Sequence, residues 1–144
     1  MQRIAASLAL AFSTTVFGQA PTPESDKVLS AAARQLAGMT FDSKASVTIR
    51  GRISTLVWPE RSSGMIVVEA SDGVGQYAFS TAGVPAMAKQ GFTRFAVHPG
   101  EEVIVTGVLA ASNAKIGPGL TAARADLITK SDGSRVFDRS RLLQ

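Results

Sequence analysis

The sequence contains no cysteine and only one histidine among its 144 residues. Without cysteine there is no disulfide framework, no acylated lipoprotein cysteine and no thiolate metal site. The single histidine, His98, has no second imidazole or thiolate with which to share a transition metal. We therefore interpret His98 as an ordinary loop residue and expect neither a metal ion nor any other cofactor.

The residue patterns of common active sites are also missing. No serine lies in a Gly-x-Ser-x-Gly elbow, and His98 alone would have to serve as the base of a nucleophilic triad. The neighbouring Glu101 and Glu102 begin a predicted strand, so their side chains point to opposite faces and make a poor catalytic pair. Asp72 and Asp132 lie in Asp-Gly turns, where aspartate is favoured for backbone reasons. The sequence thus predicts a protein without catalytic activity.

Acidic residues are scarce, and aromatic residues make up only 6% of the chain. Fifteen lysines and arginines face eleven acidic residues, which gives a formal net charge of +4. This mild surplus permits an anionic partner without requiring one, because a solubilising surface has the same composition.

The first 18 residues have the layout of a secretory signal peptide. Arg3 supplies the positive charge, an uncharged apolar run extends from Ile4 to Phe17, and small residues follow at Gly18 and Ala20. The run is shorter than the roughly 20 apolar residues that a membrane span needs. We expect cleavage after Gly18, with Ala20 as the alternative, and a periplasmic or secreted protein that is not integral to the membrane.

The pattern divides the remaining chain into a leader and N-terminal helix over 19–44, a β domain over 45–138 and a frayed tail over 139–144. Within the leader, apolar residues at helical spacing predict a helix over 27–38 that Ser25 or Asp26 caps and Gly38 ends. These apolar residues are Val28, Leu29, Ala32, Ala33 and Leu36.

The β domain reads as three strands, a short helix over 83–91, and two or three further strands. The strands are predicted from Ala45 to Trp58, and over 65–70, 76–81, 102–110, 120–129 and 134–137. Gly51 interrupts the first strand, where a glycine indicates a bulge or bend. A helix between the third and fourth strands is typical of the OB fold. The predicted fold is therefore mainly β, an OB-like small barrel of five to six strands, with a different open β-sandwich as the alternative.

Several of these segments, in this order, resemble a family of small exported bacterial proteins whose function is not established. The matching segments run from about Phe41 to Phe137 and include 47–53 with its glycine, Asp72-Gly73, 77–79 and the Pro-Gly-Glu-Glu-Val stretch from Pro99. The resemblance implies export and an OB-like barrel. Family members usually carry Asn-Pro-His after the tryptophan, whereas Trp58 is followed here by Pro-Glu-Arg.

Four residues are the candidates for ligand binding. Arg50, Arg52 and, by position, Trp58 share one face of the first strand, and Arg124 lies in the fifth. Tyr77 and Phe79 would add a stacking surface if they faced outward, but such residues are more often core. Glu69 and Asp126 could meet across the barrel, or Asp126 could pair with Arg124.

These observations predict a non-catalytic binding module for an anionic ligand or a glycan. The alternative is a structural or assembly factor that docks an envelope protein through its barrel edge or its N-terminal helix. An exposed apolar helix face would favour the second hypothesis, and a concave groove lined by arginine and aromatic residues would favour the first. Export argues against nucleic acid as the partner.

Overall fold

The structure, a computed structural model, describes residues 23–59, 63–73, 75–93, 95–117 and 119–143. The predicted signal peptide over 1–18 lies outside the described residues, as does Glu60-Arg61 after the tryptophan. The described residues form two α-helices and seven strands, in the order α1 (Pro23–Ala37), β1 (Phe41–Val57), β2 (Ser63–Ala70), β3 (Gln76–Gly83), α2 (Val84–Lys89), β4 (Glu102–Ala110), β5 (Lys115–Ile116), β6 (Leu120–Lys130) and β7 (Arg135–Asp138). None of the helices described is long and apolar enough to cross a bilayer.

Five of the strands close into a small barrel. β1 pairs with both β2 and β4, β2 pairs with β3, and β4 pairs with β6, all antiparallel. A parallel pairing of β3 with β6 completes the ring. Together with α2 between β3 and β4, this is the strand order of the OB fold, so the predicted fold class is confirmed. The short β5 and β7 both pair with β6.

β1 belongs to both halves of the barrel, and Gly51 lies where its pairing passes from β4 to β2. This residue pairs with Val103 in β4 and with Ala70 in β2. A Cβ atom at Gly51 would collide with the carbonyl oxygen of Glu69, so no larger residue fits this crossing. The register is regular at Gly51 itself, and the bulge lies a few residues later, between Ile53 and Thr55.

Two hydrophobic clusters lie on opposite faces of the sheet. The first fills the barrel with alternate residues of the strands, including Ile66, Val68 and Phe79, and its base is closed by Met87 from α2. The second lies outside the barrel, where α1 covers the outward residues of β2 and β3. Because β2 packs against the interior on one face and α1 on the other, its sequence is apolar at consecutive positions.

Helix α1 begins at Pro23, four residues before the predicted start. A proline suits the first helical turn, because the N–H that it lacks would have no partner there. The helix ends at Ala37, next to the predicted Gly38. Its apolar face is not loosely packed, because Ala32, Ala33 and Leu36 are all buried.

The C-terminal segment differs from the predicted frayed tail. Residues Arg139–Leu143 form a 3-10 helix directly after β7. The side chain of Gln90 holds the start of this segment, since its amide donates to the Asp138 carbonyl at 3.1 Å and accepts from the Asp138 N–H at 3.2 Å. The tail prediction is therefore wrong, because backbone and side-chain contacts to distant residues hold the segment in place.

Candidate functional site

The face that OB barrels commonly use for ligands is covered here. That face lies on the second and third strands and the loops beside them. In this chain Met65 and Val67 of β2 and Ala78 of β3 point outward there, and all three are buried against α1. A ligand that binds the protein as it stands must therefore use another surface.

Trp58 does not share a face with the two arginines of β1. Arg50 and Arg52 are exposed, whereas Trp58 packs edge-on against Phe92, with the ring centroids 5.0 Å apart. The register shift between Ile53 and Thr55 is the cause, because one extra residue exchanges the two faces of a strand. Even-numbered residues before the shift face solvent, and Leu56 and Trp58 after it face the core. The prediction of a shared face is wrong.

The surroundings of Arg52 are more acidic than basic. Arg52 lies opposite Glu69 on β2 and Glu102 on β4, and its Nη1 donates to the carbonyl of Gly100 at 2.9 Å. A shallow groove of about 480 Å³ beside it is lined by the same two glutamates. One arginine against two glutamates leaves a net negative charge, which disfavours an anion at this place.

Tyr77 and Phe79 belong to the interior. Their rings stack with centroids 5.9 Å apart, Phe79 is fully buried, and both pack in the barrel core. The structure thus agrees with the core interpretation of these two residues and offers no stacking surface on β3.

Arg124, the fourth candidate, lies in β6 on the outside of the barrel. Its Nε donates to Asp126 Oδ1 at 3.0 Å, and its guanidinium lies 5.9 Å from the centre of the Phe41 ring. Within the described part of the chain, its two Nη groups make no hydrogen bond. Asp126 therefore pairs with Arg124, which is one of the two arrangements that the sequence left open for this carboxylate. The structure does not bring Arg124 together with the arginines of β1, because β4 lies between the two strands.

Arg139, which sequence reasoning assigned to the tail, is the most constrained arginine of this region. Its Nε donates to the Ala125 carbonyl at 2.9 Å and lies 3.2 Å from Asp126 Oδ1. One of its Nη groups donates to the carbonyls of Ser80 and Thr81. Burial and then the nearby Arg124 lower the pKa of Arg139, and Asp126 opposes this shift. No sequence signal announces this role, since most of its partners are backbone carbonyls.

A second carboxylate, Asp138, lies between two further arginines. Its Oδ2 is 3.1 Å from Arg135 Nη1 and 3.9 Å from Arg141 Nε. The Ser140 hydroxyl donates to Oδ1 at 2.6 Å. This hydrogen bond is the main reason why the pKa of Asp138 is lowered; partial burial opposes it, and the two arginines reinforce it.

These two arginine–aspartate clusters border one groove of about 620 Å³, which we call the arginine groove. Its lining residues are Arg124, Asp126, Leu127, Arg135, Asp138, Arg139, Ser140 and Leu142. Three arginines and two aspartates leave one net positive charge on the lining, and Arg141 beside it adds another. In contrast to the groove at Arg52, this site attracts anions.

The remaining candidate groups stay apart from one another. Glu101 forms an ion pair with Lys130 at 3.2 Å and accepts a hydrogen bond from the backbone N–H of His98. Glu69 of β2 lies opposite Arg52, whereas Asp126 of β6 lies between Arg124 and Arg139. In the ranges that the structure describes, no three histidine or acidic side chains are placed to hold a metal ion.

Comparison with models of known protein families gives no match, and comparison with curated proteins gives none either. The resemblance to exported bacterial proteins therefore stays a prediction.

Proposed function

We propose that this protein is a non-catalytic binding module whose ligand is an anion held in the arginine groove. The observation that carries the proposal is a concave surface with a net positive charge, at which the Nη groups of Arg124 are without a hydrogen-bond partner among the described residues. A guanidinium fork of this kind binds a carboxylate or phosphate through two parallel hydrogen bonds.

The groove favours an anion over a glycan. Protein sites for sugars and bases use exposed aromatic rings as stacking surfaces, and among the described residues no aromatic side chain lines the arginine groove. The same argument speaks against single-stranded nucleic acid.

The second hypothesis, an assembly factor that docks an envelope protein through its N-terminal helix, has less support. That hypothesis expected an exposed apolar face on the helix. In α1 the apolar residues Ala32, Ala33 and Leu36 are buried against the protein's own barrel, and Val28 is the exposed large apolar residue among the described side chains of this helix.

Export to the periplasm or the medium is part of the proposal. Its support is the arrangement of the first 18 residues, in which one positive charge precedes an uncharged apolar run and small residues follow. Ligands of such a protein would be found in the envelope or outside the cell.

A titration of backbone amide chemical shifts tests the function. Inorganic phosphate, acetate and a neutral disaccharide are added separately to the folded domain. We expect saturable shifts at Arg124, Arg135 and Ser140 with the two anions and none with the sugar. Arg124→Gln should weaken anion binding about tenfold, since a charge-assisted hydrogen bond contributes about 1.5 kcal/mol or more.

The matched control is Arg50→Gln, which removes an exposed arginine from a strand on the other side of β4. It should leave binding unchanged. If neither anion causes saturable shifts at the groove, the proposed function is wrong. If the shifts cluster at Arg50 and Arg52, the ligand site is misplaced.

A further inference from the structure

We infer that the ligand of the arginine groove is an amphiphilic monocarboxylate, a single carboxylate head with an apolar tail. The inference rests on the proposed function and names the class of anion. Its evidence is the size of the groove, its apolar lining and the placement of its aspartates.

The groove is too large for a small inorganic ion. Its volume of about 620 Å³ lies in the middle of the roughly 300–1,000 Å³ found for sites of organic ligands. A bare ion held at Arg124 would leave most of this space to water. An organic tail of several carbon atoms would occupy it.

Two leucines supply the apolar part of the lining. Leu127 comes from β6 and Leu142 from the C-terminal 3-10 helix, and both are half-buried. Leu142 also packs against the barrel core, and this contact fixes the position of its side chain. A tail that lies against these side chains would remove further apolar surface from water, which favours binding in proportion to the area covered.

The charges favour a head with one negative charge. Asp126 lies between Arg124 and Arg139, and Asp138 lies between Arg135 and Arg141. The lining itself, with three arginines and two aspartates, carries one positive charge in excess, which a single carboxylate neutralises. A planar monocarboxylate also matches the free end of Arg124, which can donate two parallel hydrogen bonds to its two oxygens.

Arg139 acts as a positioning residue for this site. By holding the carbonyls of Ala125, Ser80 and Thr81, it fixes the first residue of the segment that carries Leu142. The apolar wall thus depends on an arginine that need not touch the ligand.

A chain-length series tests the inference. Acetate, butyrate, hexanoate and octanoate are titrated into the folded protein, with the amide shifts of Arg124 and Ser140 as the readout. We expect affinity to rise by roughly fourfold for each methylene that becomes buried, until the groove is filled. 1-Octanol, which has the tail without the charge, should bind much more weakly than octanoate.

Leu142→Ser should reduce the gain with chain length and leave acetate affinity unchanged, and Val28→Ser, at an exposed position of α1, is the matched control. If acetate binds at the groove and longer chains bind no better, the amphiphile inference is overturned while the proposed function stands. If no carboxylate of the series binds at the groove, and phosphate does not either, both are overturned. If 1-octanol binds as tightly as octanoate, the role of the charged head is refuted.

Discussion

Arg139 closes the barrel at the place where two strands separate. The parallel ladder of β3 and β6 ends with the pair Ser80 and Arg124. Just beyond it, the guanidinium of Arg139 donates hydrogen bonds to a carbonyl of each strand, Thr81 in β3 and Ala125 in β6. A single side chain thereby joins the two strands by hydrogen bonds beyond the last pair of the parallel ladder.

Replacing Arg139 with methionine should destabilise the protein by about 2–3 kcal/mol, because the carbonyls on two strands lose a charged donor. Methionine keeps much of the aliphatic length, so packing changes little. Urea unfolding followed by circular dichroism measures the effect.

The control for this change is Arg141→Met. The Arg141 side chain is 58% exposed and lies 3.9 Å from its aspartate partner, so its loss should cost less than about 0.5 kcal/mol. Equal free energies of unfolding for the two variants would show that Arg139 does not bridge the strands.

The bulge in β1 decides which side chains of that element can meet a ligand. Before Ile53, the even-numbered residues point outward, and both arginines are among them. After Thr55 the even-numbered residues point inward, so that Trp58 packs against the core. An alternating pattern predicts a strand well, but an inserted residue leaves no clear mark in such a pattern. That is why the arginines of β1 could be predicted as exposed and the tryptophan could not.

Helix α1 stabilises the barrel by covering its outer face. Leu36 of α1 points towards the sheet and is only 1% exposed. Leu36→Ala should therefore cost about 2–4 kcal/mol, the range for a buried leucine that leaves a cavity.

Val28→Ala on the same helix is the matched control, because Val28 is 49% exposed and its loss should change the free energy of unfolding by about 0.5 kcal/mol or less. Both values come from chemical denaturation of the folded domain. A cost below about 1 kcal/mol for Leu36→Ala would mean that α1 is not part of the cooperative fold.

At the scale of the whole molecule, the order of strands and helices was predictable. Five strands with a helix after the third could be read from alternating apolar residues, from Asp-Gly turns and from the glycine at position 51. Because this order of elements is that of the OB fold, it also predicted that the five strands close into a barrel. By contrast, the covering of β2 and β3 by α1 joins residues that are distant in sequence, and neither segment alone announces it.

The proposed export concerns the whole chain, and it has a direct test. If the first 18 residues are a signal peptide, the protein recovered from the envelope or medium should begin at Gln19. Intact-mass spectrometry of the expressed full chain measures this, with a variant in which Gly18 is replaced by a bulky residue as the control. Recovery of the unprocessed chain from the cytoplasm would contradict the proposal.

The sequence by itself determined the elements of this protein and their order, because apolar periodicity and turn residues are local properties. Only the tertiary structure decided where the candidate site lies. The arginine groove combines Arg124 of β6 with Arg135 of β7 and Arg139 of the tail, and its positive charge depends on which aspartate stands beside which arginine. These arginines and aspartates come together only when the sheet closes, and no local pattern in the sequence predicts which of them will be neighbours.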